Sequence, residues 1–80
     1  MEFSEQTYIN LLKNLYKSNS QEKSLTRMYV NRAIKDKIFR EELIETLFKM
    51  EENKEISEEE KNFYKNKRYE IVEKLMEIIY

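Results

Sequence analysis

The pattern of apolar and polar positions divides the chain into helical segments. Tyr8, Leu11, Leu12 and Leu15 recur at i, i+3, i+4 and i+7, which predicts one apolar stripe on a short first helix. Ser4 stands where an N-cap belongs, with Glu5 in the first turn and Lys17 in the last, both favourable to the helix dipole. The run Ser18-Asn19-Ser20 breaks the pattern, with Asn19 suited to close a helix in place of glycine. Ser18 with Gln21 has capping-box spacing for the next helix, and Ser20 is a rival cap.

Residues 21–52 contain no Gly, Pro or cluster of turn residues. At about 100° per residue they display two apolar faces. Leu25, Met28, Tyr29, Phe39, Leu43, Leu47 and Met50 form the first, interrupted by Arg32 and Asp36. Val30, Ala33, Ile34, Ile38, Ile44 and Phe48 form the second. Asn53 is the next stop, followed by a short polar connector. Ser57-Glu58-Glu59-Glu60 then reads as a capping box with three carboxylates at the positive end of a helix. That last helix runs towards Tyr80 on a stripe of Tyr64, Ile71, Val72, Leu75, Ile78 and Ile79, with Phe63 and Met76 beside it.

The expected fold is therefore all-α, a single helical domain over residues 1–80. Its first form is a three-helix antiparallel arrangement around a central helix of about 32 residues, roughly 48 Å long at 1.5 Å per residue. The alternative is a four-helix bundle in which the chain bends near Lys35–Lys37 and Asp36 caps a new helix. The first form leaves the second face uncovered and predicts a homodimer through Val30, Ala33, Ile34, Ile38, Ile44 and Phe48. In the second form that face is internal core.

Composition supports helices and narrows the chemistry. The 80 residues include no Gly, Pro, Cys, His or Trp, while 40% are hydrophobic and 39% charged. Disulfides are impossible, and a chain this small gains stability readily from oligomerisation. The longest unbroken apolar runs are three residues, far below the ~20 needed for a bilayer span, and the N-terminus has no secretory pattern. A cytoplasmic protein is expected.

With neither Cys nor His, Ser–His and Cys–His nucleophilic pairs cannot be built, and a di-iron helical site lacks its histidines. Ser20-x-x-Lys23 matches a catalytic spacing but belongs to a helix start, and no Gly-rich phosphate loop exists. Glu41, Glu42 and Glu45 read as a solvated face rather than a metal site. No catalytic, cofactor or metal residues are assigned, and no small-molecule substrate is expected. The chain reads as a non-enzymatic interaction protein, a regulator or adaptor of the kind phages and plasmids carry, with an unidentified protein partner.

The net charge of −1 hides an uneven distribution. Residues 13–40 hold eight basic and two acidic side chains, net +6; residues 41–60 hold nine Glu against two Lys, net −7. Such halves could pair head to tail between two copies. Lys23, Arg27, Asn31 and Lys35 are the candidate partner-binding residues, and they also carry a second reading, a nucleic-acid-binding helical dimer using segment 23–40. Against it, the sequence pI of about 5.6 lies well below the basic value usual for such domains. A third reading, an immunity-type helical bundle, rests on size and fold analogy alone. Tyr16, Tyr69 and Tyr80 fall off or at the ends of the stripes and are candidate exposed anchors.

Overall fold

A computed structural model of the chain describes residues 4–18 and 22–79, the side chains of Glu22 and Lys23 excepted. All regular structure among them is helical: α1 (Glu5–Lys17), α2 (Glu22–Lys35), α3 (Lys37–Glu52) and α4 (Glu58–Ile79). Tyr80 and the expected capping residues Asn19, Ser20 and Gln21 lie outside the described residues.

The long central helix is corrected. Asp36 alone separates α2 from α3, with φ −130° and ψ 106° in the extended region. Its Oδ1 accepts from Phe39 N at 3.1 Å, capping α3, and the Arg32 guanidinium lies 3.6 Å from its other oxygen. Phe39 N–H first, and Arg32 with it, hold the Asp36 carboxyl below its ordinary pKa. On the other side of the break, Arg40 Nη1 donates to Ala33 O at 3.1 Å, serving a carbonyl in the last turn of α2. Arg32 and Arg40 thus grip the bend from its two sides.

The bend explains the two apolar faces. The buried residues of α2 are Thr26, Tyr29, Val30 and Ala33; those of α3 are Phe39, Leu43, Thr46, Leu47 and Met50. In a straight helix these stripes would stand about 100° apart at ~100° per residue. Turning the chain at Asp36 points both into one core. They meet Tyr8, Leu12 and Leu15 of α1 and Tyr64, Ile71 and Leu75 of α4. Met28, expected on the first face, is left 62% exposed, and Ile78, expected on the α4 stripe, 59%.

The remaining caps are local. Ser4 Oγ accepts from Thr7 N, and Ser57 Oγ from Glu60 N at 3.1 Å. The expected capping box at Ser57 is only half formed, because Glu60 Oε2 accepts instead from Tyr64 Oη at 2.7 Å. Burial, then that carboxylate, raises the Tyr64 phenol well above its ordinary pKa. Tyr29 Oη donates to Leu11 O at 3.0 Å and ties α2 to α1. At the far end of α3, Lys49 reaches Glu5 at 3.1 Å and Glu45 at 3.6 Å.

Candidate interaction surface

Two surfaces carry some of the residues that the sequence nominated. The first is a groove of about 390 Å³ between α2 and α4, lined by Thr26, Arg27, Val30, Asn31, Glu70, Lys74, Glu77 and Ile78. Arg27 and Asn31 therefore sit together; Lys35 is exposed but not part of the groove, and the side chain of Lys23 lies outside the described residues. Two carboxylates, Glu70 and Glu77, share this groove with Arg27 and Lys74. Nearby, Lys67 is 6% exposed; its Nζ donates to Thr26 Oγ1 at 3.2 Å and Glu70 Oε2 at 2.9 Å and lies 5.7 Å from the Phe63 ring centre. A lysine on the Tyr64–Ile71–Leu75 stripe was the signal that something polar had to meet it inside.

The second surface is the outer face of α3 and α4. The helices run antiparallel, with Lys37, Arg40 and Ile44 across from Leu75, Met76 and Val72 and Glu51 across from Arg68. Tyr69, Val72 and Met76 follow at i, i+3 and i+7 along α4, a second stripe facing away from the core. Phe48, Tyr69 and Met76 are 47%, 56% and 55% exposed, while Ile44 and Val72 are half-buried between them. Two shallow grooves, about 410 and 590 Å³, share Val72 and Met76.

Arg68 fixes one end of this face. Its Nε and Nη2 donate to Glu51 Oε2 and Oε1 at 2.6 and 3.0 Å, a bidentate pair joining α4 to α3. The hydrogen bond to Glu51 is the main reason its pKa is raised. The same guanidinium carbon lies 4.3 Å from the Phe48 ring centre and 4.6 Å from that of Tyr69. Both rings are thereby held at the surface by a cation that is itself anchored, which lowers the entropy lost when another surface covers them.

The six residues expected to form a dimer face separate. Val30 and Ala33 are 4% and 0% exposed in the chain's own core, so they are not available to a second copy of this fold. Ile34 is half-buried and Ile38 exposed, while Ile44 and Phe48 belong to the α3–α4 face. Tyr16 packs edge-on to Phe63 at 5.1 Å between ring centres and is half-buried rather than an exposed anchor. The sequence reading missed Arg68, Glu51 and the outward role of Val72 and Met76. The i, i+3, i+7 spacing of Tyr69, Val72 and Met76 could have shown that α4 has a second stripe.

Among the described residues no helix is long and apolar enough to cross a membrane, and no three acidic side chains come together as a metal cluster. The chain matches no family model, no curated protein and no solved structure.

Proposed function

We propose that the chain is a non-enzymatic interaction protein whose partner is an amphipathic helix of another protein, seated along α3 and α4. The observation that carries this reading is the run of exposed Phe48, Tyr69 and Met76 across two antiparallel helices, with Arg68 anchored against both aromatic rings. An antiparallel helix pair with shallow apolar grooves suits a third helix that presents apolar side chains at i, i+3, i+4 and i+7. Aromatic and Arg anchors held in place are the usual centres of binding energy. The groove walls mix Lys37, Arg40 and Arg68 with Glu41, Glu73 and Glu77, so specificity would come from shape and apolar fit more than from net charge.

The nucleic-acid reading draws less support. Arg27 and Asn31 face a groove that also contains Glu70 and Glu77, which would repel a phosphate backbone.

A photoreactive residue in place of Tyr69, in the native host, tests the proposal. The expected result is a discrete conjugate with a different protein, lost in the Val72→Arg background and retained with Arg27→Ala and Lys35→Ala together. A conjugate sensitive to nuclease, or one containing only a second copy of this chain, would overturn it.

A further inference from the structure

We propose that α2 and α3 can fuse into one continuous helix, and that two copies then exchange their α1–α2 halves to form a closed dimer.

The break is a single residue wide. Asp36 N donates to Arg32 O at 2.9 Å and Arg40 N donates to Asp36 O at 3.0 Å, so helical hydrogen bonding continues up to the bend and resumes directly after it. Only the rungs from Lys37, Ile38 and Phe39 back to Ala33, Ile34 and Lys35 belong to a continuous helix and not to this one. Side chains stand in for two of the groups concerned: Asp36 accepts from Phe39 N, and Arg40 donates to Ala33 O. Neither Gly nor Pro lies anywhere between Glu22 and Glu52. Moving Asp36 from φ −130°, ψ 106° into the helical region needs a change at one residue and restores the rungs.

A fused helix does not fit inside the monomer. From Glu22 to Glu52 it would be about 46 Å long at 1.5 Å per residue, whereas the longest dimension of the molecule is 32 Å. Straightening therefore carries α1 and α2 away from α3 and α4. It separates Tyr8, Leu12 and Leu15 of α1 from Phe39, Leu43 and Leu47 of α3, with which they share one buried core. A second copy in the same form supplies an identical α1–α2 half. Under two-fold symmetry each half docks on the partner's α3–α4, every core contact is remade between chains, and no new face is needed. The balance then reduces to the hinge contacts, the restored rungs and the cost of association, so it shifts with protein concentration.

The side chains at the hinge set that balance. Asp36 favours the bent form through its cap, and Arg32 supports it from one turn earlier. Asp36→Ala removes the cap and introduces the strongest helix former, whereas Asp36→Asn keeps a capping side chain.

The experiment measures mass by light scattering at several concentrations for wild type, Asp36→Ala and Asp36→Asn. It is combined with isotope-filtered NMR on mixed labelled and unlabelled chains. Tyr8 and Phe39, whose rings lie 5.7 Å apart, report the exchange. The expected result is a monomer of 10.0 kDa for wild type and Asp36→Asn at micromolar concentration. Asp36→Ala is expected to double that mass, with the Tyr8–Phe39 contact now between chains. An Asp36→Ala monomer, or a dimer whose Tyr8–Phe39 contact stays within one chain, overturns the proposal. If Asp36→Ala does not fold, wild type refolded from urea at millimolar concentration decides: an exchanged dimer supports the proposal, and monomer alone overturns it.

Discussion

Leu47→Ala is expected to lower the unfolding free energy by about 3 kcal/mol, with Leu43→Ala close to it. Both leucines are fully buried on α3, which packs most extensively against α4 and also touches α1 and α2. Truncation there removes three carbons' worth of apolar burial and leaves a cavity walled by several helices, which a rigid core collapses into poorly. For a domain of this length, total stability is on the order of 4–12 kcal/mol, so one such change would remove between about a quarter and three quarters of it. The neighbouring Phe48→Ala is the contrast. That ring is 47% exposed and lies against the Arg68 guanidinium, so its loss is expected to cost about 1 kcal/mol or less. Urea unfolding followed by circular dichroism, with the slope unchanged between variants, gives the comparison. If Phe48→Ala cost as much as Leu47→Ala, the outer face of α3 would be buried, and the assignment of that face to a partner would fall.

Glu51→Ala is expected to cost about 1–2 kcal/mol, between the values typical of exposed and buried ion pairs. Side-chain exposure of 15% at Glu51 and 16% at Arg68 leaves the pair largely shielded but still touched by water. Removing the carboxylate strands a guanidinium against two aromatic rings and takes away the acceptor of two of its five N–H donors. Replacing both members, Glu51→Ala with Arg68→Met, takes away the stranded charge and is expected to recover part of the loss. The coupling in this double-mutant cycle should reach at least about 0.5 kcal/mol, the level seen for residues in direct contact. Additive single effects would mean that the bidentate contact is not maintained in solution. The same cycle bears on function, because the Phe48 and Tyr69 rings are held by the guanidinium that Glu51 anchors.

What the sequence disclosed was mostly local. Ser4 and Ser57 cap from three residues away, and the stripe on α1 needs only its own spacing, so each could be read directly. The choice between one central helix and two could not. An aspartate flanked by Lys35 and Lys37 is a tolerable helix residue and a good cap, and its own neighbours do not discriminate. The decision comes from burying the stripes of α2 and α3, about 100° out of phase, in one core, which is a property of the whole chain. Contacts across helices were also hidden. Lys67 meets Thr26, and Arg68 meets Glu51, at sequence separations that no helical spacing rule covers. The same competition undid the capping box at Ser57, where the Tyr64 phenol outbid the backbone for Glu60. Of the proposed binding face, Tyr69 was visible as an off-stripe aromatic, whereas Val72 was read as part of the core stripe and Met76 as its neighbour, because α4 carries two stripes.

The bend at Asp36 is the point on which the core, the outer face and the exchange between copies all depend. Backbone carbon chemical shifts of the wild-type chain from Arg32 to Arg40, at micromolar concentration, test it most directly. The expected shifts are helical through Lys35, extended at Asp36 and helical again from Lys37, with the Phe39 amide protected from exchange by its bond to Asp36. Unbroken helical shifts from Arg32 to Arg40 in a monomer would contradict the account.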